Sequence, residues 1–202
     1  MPRTAIALNC TLKRSPEPSS TDLMCSQLGE ELRSHGVELE VVRIADHDVA
    51  PGVSADEGEG DGWPPIRERI LDADIVVIAT PIWLGNPSST CRRVLERLDA
   101  FLSETDDEGR MVTFGKVGVV LTVGNEDGAH AVAGQVYQAL ADVGFTVPAN
   151  GQAYWVGEAM GSTDYRDLDG TPDKVRQTLK TVATNAAHLA SILDASPYPA
   201  AS

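Results

Sequence analysis

Three stretches of this sequence combine residue types suited to a ligand with both a charged end and a flat ring. The first, "CTLKRSPEPSST" at residues 10–21, carries hydroxyls at Thr11, Ser15, Ser19, Ser20 and Thr21 and cations at Lys13 and Arg14. It lies between an apolar run, Thr4–Leu8, and a helical pattern. A helix N-terminus offers unpaired N–H groups and a partial positive charge, and hydroxyls beside it add donors. The loop therefore suits a phosphate monoester, with its three acceptor oxygens. It contains neither the glycine-rich dinucleotide fingerprint nor a G-K-[ST] phosphate loop. A ligand-free reading also stands: Ser19 and Asp22 match a capping box.

The second stretch, "TPIWLGNPSST" at residues 80–90, sets a large aromatic between a proline and a glycine. Its backbone from Ile82 to Asn86 can run along the edge of a flat ring, with Trp83 beyond a strand end. A rigid turn with Trp83 packed beneath it fits equally. The third, "TVGNEDGAHA" at residues 122–131, has two glycines that permit close backbone approach, and Asn125, which both donates and accepts. Asp127 there fits an ordinary helix cap as well.

The chain has 202 residues and a formal net charge of −14, which fits one domain and argues against a nucleic-acid partner. Hydrophobic residues make up 42%, enough for a substantial core. Cys10, Cys25 and Cys91 are odd in number and widely spaced, so a reducing, cytoplasmic setting is expected. No apolar run approaches the roughly 20 residues of a membrane helix, so no membrane insertion is expected. His35, His47, His130 and His188 show no metal-ligand spacing.

The elements that must position these loops alternate. Thr4–Leu8 reads as a strand, residues 20–35 as a helix ended by Gly36, and Val37–Ile44 as a second strand. Residues 46–65 form an acidic loop rich in Gly and Pro, expected to be solvated; its carboxylates do not match a calcium loop. A short helix, Pro65–Asp72, precedes the most apolar strand, Ala73–Pro81. Pro87 should open the next helix, whose stripe is Val94, Leu95, Leu98, Phe101 and Leu102. Lys116–Gly124 is a fourth strand, Ala129–Val143 a helix, "FTVPANGQAYWV" a broken fifth strand, and Pro172–Leu193 the last helix. This order implies an α/β sandwich of one domain, residues 1–195, with a flexible tail at 196–202. A five-stranded parallel sheet in the doubly wound order 2-1-3-4-5 would bring the three loops together beyond its carboxyl edge. One edge then offers a phosphate cup, a planar slot and polar groups for a heterocycle, which together fit flavin mononucleotide.

The sequence resembles the flavodoxin-like NAD(P)H-dependent FMN reductases and quinone reductases over about residues 4–195. The resemblance is strongest in "CTLKRSPEPSSTDL", "ADIVVIATPIWLGNPSSTCRRVLERLDAFL" and "TVGNEDGAHAV". It implies a flavodoxin-like three-layer sandwich in which the first loop holds the FMN phosphate through Thr11, Lys13, Ser19, Ser20 and Thr21. The second loop would pack on the ring and ribityl chain through Pro81, Ile82, Trp83, Leu84 and Gly85. The third would border the ring through Thr122, Gly124, Asn125 and Gly128. The first loop departs from the short form of the motif by an extra "SPEP", and Arg93 and "ERLD" replace a Lys and Asp-Arg on the following helix. The cysteines cannot supply an iron–sulfur motif.

The resemblance further implies hydride transfer from NADPH or NADH through FMN to a small-molecule electron acceptor such as a quinone, a free flavin or an azo compound. It implies no catalytic side chain, and a homodimer or dimer of dimers. An electron carrier of the flavodoxin type, which oxidises almost no NAD(P)H by itself, is the alternative. The segment Tyr154–Leu168 is expected either to cover the flavin, with Trp155, Met160 and Tyr165 on the acceptor side, or to pack locally. Cys10, at the end of the first strand, reads as a buried inert thiol.

Overall fold

Alternation of apolar side chains sorts the sheet into two buried faces. The computed structural model describes residues 3–159 and 161–200. Its strands are β1 (Arg3–Asn9), β2 (Val37–Arg43), β3 (Ile75–Trp83), β4 (Asn86–Pro87), β5 (Val117–Gly124) and β6 (Gln152–Val156). Its α-helices are α1 (Ser20–Arg33), α2 (Pro64–Asp72), α3 (Ser89–Leu98), α4 (Ala129–Asp142) and α5 (Asp173–Ala195). Ala5 and Ala7 of β1, Ile75 and Val77 of β3, and Val119 and Leu121 of β5 pack under α1 and α5. Their neighbours Ile6, Leu8, Val76, Ile78 and Val120 pack under α2, α3 and α4. Strands buried on both faces need continuous apolar runs, which is what β3 and β5 have.

The main sheet runs β2-β1-β3-β5-β6, with every neighbouring pair parallel. This is the flavodoxin-like order expected from the sequence; only the two-residue β4 shifts the numbering. β4 pairs antiparallel with the end of β3, Ile82 opposite Pro87 and Trp83 opposite Asn86. The connection is Leu84-Gly85, with φ of 51° and 71°. Positive φ at both central residues gives the tight hairpin turn that matches strand twist, although a leucine is strained there. Pro87 therefore does not open α3. Ser88 caps it instead, its Oγ accepting from the Cys91 N–H at 3.0 Å.

Three further expectations change. Only Gln152–Val156 of the broken fifth strand is extended in the sheet; Thr146 adds a single bridge to Val117, and the chain turns through Asn150 at φ 51° before β6. Phe101 is buried but Leu102 faces solvent, because Asp99–Ser103 winds into a tighter 3-10 turn and leaves the α-helical stripe. The C-terminal stretch is docked through Tyr198, whose hydroxyl lies 3.0 Å from Thr146 Oγ1 and whose ring packs 5.4 Å from Phe114.

The acidic loop at residues 46–65 is not simply solvated. The fully buried Arg97 of α3 reaches into it. Its Nη2 donates to Asp61 Oδ2 at 2.7 Å, its Nη1 to the Ala50 carbonyl at 3.0 Å and its Nε to the Ser54 carbonyl at 3.1 Å. The guanidinium also lies 5.6 Å from the ring of Trp63, itself wholly buried. Burial pushes the Asp61 carboxyl up, but Arg97 and the N–H groups of Glu57, Ala50 and Trp63 outweigh it and hold it well below its ordinary value of 3.8. Asp61→Asn should cost about 3–5 kcal/mol at pH 7, because it leaves Arg97 buried and uncompensated. The folded Asp61 titrates below the unfolded one. The charged pair's stabilisation is thus complete above the unfolded value of 3.8 and is lost as pH falls below it, through the folded pKa. Denaturant titrations of wild type and Asp61→Asn from pH 7 to pH 2 should show the gap closing in that acid window.

Candidate functional site

β1, β3 and β5 are adjacent, so their carboxyl ends deliver the three loops in spatial order. Between the loops lies a cavity of about 550 Å³. Thr11, Lys13, Ser19, Ser20 and Thr21 line it where β1 leads into α1. Pro81, Ile82, Trp83 and Leu84 line it at the β3–β4 hairpin, and Gly124 and Asn125 beyond β5. A larger concavity of about 680 Å³, lined by His130, Tyr154 and Lys174 among others, runs along the outer edge of β6. Of those three loop stretches it meets His130 alone, already in the first turn of α4, and it lies away from the strand ends where this fold places ligands, so the smaller cavity is the candidate site.

Hydrogen bonding gives the cup its character. Thr11 Oγ1 accepts from the Lys13 N–H at 3.4 Å, Ser19 Oγ from the Asp22 N–H at 3.4 Å, and Ser20 Oγ from the Arg166 N–H at 3.3 Å. Each hydroxyl thus commits a lone pair to the protein and keeps its hydrogen to donate. The first N–H groups of α1, from Ser20 and Thr21, have no acceptor within the helix. The Asp22 carboxylate is drawn aside by Asn9 Nδ2 at 2.9 Å and Arg43 Nη2 at 3.0 Å. Ser19 therefore caps α1, yet Asp22 does not close a capping box, and the cup remains a cluster of donors.

The ring-side wall depends on glycine. A Cβ on Gly124 would lie 2.8 Å from Ile82 Cβ, and one on Gly128, whose φ is 127°, would lie 2.8 Å from Gly85 Cα. Gly85 and Gly128 let the second and third loops touch backbone to backbone. They stand behind the cavity wall, not on it. Thr122 is also set back: it is fully buried in β5 and receives Gln152 Nε2 at 3.3 Å. Trp83 is 53% exposed and Leu84 88%, so Trp83 is not packed beneath the turn. Asn125 Nδ2 donates to Asp164 Oδ1 at 3.2 Å, while Asn125 Oδ1 is buried with no hydrogen-bond partner among the described residues. That oxygen is packed against Gly157, where a Cβ would lie 2.8 Å from it.

The segment after β6 closes the cavity of its own chain. Trp155, Gly161, Ser162, Asp164 and Tyr165 line it. The Trp155 and Tyr165 rings lie 5.4 Å apart, and Tyr165 is almost wholly buried, its hydroxyl donating to Gln27 Oε1 at 2.6 Å. Local packing and cavity lining thus coincide at these two residues; Met160 lies outside the described residues. Leu12, Glu126, Ser162 and Asp164 are lining residues that sequence reading did not single out. Their only sequence signal is their place in loops that follow β1, β5 and β6. Cys10 is buried, and burial raises its thiol well above its ordinary value, as expected of an inert cysteine.

Residues 5–160 match the family described as NADPH-dependent FMN reductase. Over 98% of its length the chain is 40% identical to the divalent metal cation transporter MntH of Mycobacterium bovis, but it spans only 30% of that protein. No described helix of the present chain is long and apolar enough to cross a membrane. Over 96% of its length it is 38% identical to 8-demethyl-8-aminoriboflavin-5'-phosphate synthase of Streptomyces davaonensis, spanning 79% of it. The crystal structure of RosB with bound 8-demethyl-8-formylriboflavin-5'-phosphate superposes with a TM-score of 0.89 at 35% identity, covering 97% of this chain and 82% of that one. The match over residues 5–160 and the identity to the Streptomyces enzyme make this chain a member of the NADPH-dependent FMN reductase family.

Proposed function

We propose that the cavity binds FMN and that the protein passes hydride from NADPH or NADH through it to a small acceptor such as a quinone, a free flavin or an azo compound. The observation that carries this reading is the order of polarity along the cavity. Donors gather at the cup, Ile82 and Trp83 form an apolar wall, and the polar side chain of Asn125 lines the cavity beyond β5. A phosphate accepts from the first, a flat ring rests on the second, and the polar edge of the ring meets the third. FMN held there supplies the hydride chemistry itself. The chain's part is to bind and orient: Thr11, Ser19, Ser20 and the start of α1 fix the phosphate, and Asn125 fixes the ring edge. Trp155 and the segment after it shield one side from water, while the half-exposed Trp83 stands at the mouth, where donor and acceptor must enter. No titratable side chain need exchange a proton with substrate.

A second reading takes the flavin as substrate. It is supported by the comparisons described above, a sequence relative named as a synthase of an aminoriboflavin phosphate and a similar solved structure holding a formylriboflavin phosphate. Both flavins carry a 5'-phosphate, so the same cup serves either reading.

The deciding measurement is the visible spectrum of the purified protein with added FMN, before and after anaerobic NADPH or NADH. The expected result is a bound flavin band that bleaches with one or both nucleotides and returns when a quinone is added. A band that stays oxidised with both would favour an electron carrier, and recovered flavin of altered mass would favour the substrate reading. A protein that binds no FMN would sink all three. Trp83→Ala should change kcat/KM for the acceptor by about tenfold, the scale of an aromatic contact, with a smaller change in FMN affinity. Equal changes in both would show that Trp83 holds the flavin and does not gate the acceptor.

A further inference from the structure

The cup has a partner far away in sequence. Residues Tyr165–Asp167 form a 3-10 turn seated against the start of α1. The Arg166 N–H donates to Ser20 Oγ at 3.3 Å, and Arg166 Nη1 donates to the Pro18 carbonyl. Its guanidinium also faces Asp164 and Asp167, each at 3.6 Å, and its Nε is buried without a hydrogen bond among the described residues. Asp164 in turn receives Asn125 Nδ2. A continuous chain of contacts therefore runs from the cup to the ring-side loop, and Arg166 is its anchor at the phosphate end.

Two consequences follow from elementary chemistry. Anchoring Pro18 from outside fixes the residue just before the Ser19 cap, and with it the direction of the first N–H groups of α1. The Arg166 N–H occupies a lone pair of Ser20, so the Ser20 hydroxyl is turned to donate. Arginine stays cationic at any working pH, so it offsets the Asp164 and Asp167 carboxylates, whose charges would otherwise repel an anion in the cup. We propose that Arg166 is the positioning residue that gives this cavity its preference for a phosphorylated flavin over the same flavin without phosphate. The role rests on the reading that the cup takes the FMN phosphate.

The test compares dissociation constants of FMN and riboflavin, read from flavin fluorescence, for wild type, Arg166→Ala and Arg166→Lys. Wild type should bind FMN far more tightly than riboflavin. Arg166→Ala should weaken FMN by about tenfold or more, the scale of a charge-assisted contact, and leave riboflavin nearly unchanged. Arg166→Lys should restore part of the FMN preference, because it returns the charge without the fork geometry. In wild type the preference should also grow as pH rises through about 6, where a phosphate monoester gains its second charge, and Arg166→Ala should flatten that profile. A loss shared equally by FMN and riboflavin would overturn the proposal and leave Arg166 a fold residue, as would no loss at all. A wild type that holds riboflavin as tightly as FMN would overturn the phosphate cup itself, and the role of Arg166 with it.

Discussion

The Ser88 hydroxyl donates to the Cys10 carbonyl at 2.7 Å and accepts from the Cys91 N–H at 3.0 Å, while the Ser88 N–H donates to Thr80 Oγ1 at 3.1 Å. One buried side chain thus joins the end of β1, the end of β3 and the first turn of α3. The three meet where the sheet stops and its own ladder can no longer pair backbone groups. A Cys10 carbonyl left there without a donor would bear the full cost of desolvation, about 1–3 kcal/mol. Fixing that point fixes where the first loop leaves β1 and where the β3–β4 hairpin departs and returns. The backbone contact of Gly85 with Gly128 then sets the third loop against the second. The cavity is the space these constraints leave between them.

What the sequence made legible was local. Strand order followed from apolar runs separated by helical patterns, and the hydroxyl cup followed from residues within a dozen positions of one another. The hairpin was not legible, because its turn is Leu84-Gly85 and not the Asn-Gly or Asp-Gly pair that usually announces positive φ at two residues. Arg97 was read only as part of the "ERLD" charges on α3. Its place three residues after Val94 and one before Leu98 puts it on the buried stripe, but its partner Asp61 is 36 residues away in a loop that reads as solvated. Arg166 is 146 residues from Ser20. Composition and periodicity carry no information about such pairings. They become visible only when the sheet order has brought the end of β6 beside the start of α1.

The chain is strongly acidic, at −14, yet the cup is a place where an anion is welcome. The contradiction resolves at short range. Asp22, the carboxylate nearest the start of α1 in sequence, is engaged by Asn9 and Arg43, and Lys13 lines the same end. At the other end Glu126 lines the wall, while Asp164, which also lines it, receives the Asn125 amide and faces the Arg166 guanidinium at 3.6 Å. The electrostatic gradient along the cavity therefore has one sign. A ligand with a phosphate at one end and a neutral ring at the other is then favoured with its phosphate toward the cup.

The two ends also differ in how firmly they are held. The cup is pinned by the Ser19 cap, by Asn9 and by Arg166, through groups that are largely buried. The hairpin tip is the opposite: Leu84 is 88% exposed at a φ that disfavours leucine, and Trp83 beside it is 53% exposed. An exposed strained turn is easily altered without disturbing the sheet, whereas any change in the cup disturbs α1. On the proposed reading, recognition of the flavin phosphate belongs to the pinned geometry at the sheet's edge, and the choice of what meets the ring belongs to the hairpin and to the segment after β6. Such a division would let one scaffold hold a flavin phosphate in the same way whether the flavin carries electrons to another molecule or is itself the molecule transformed.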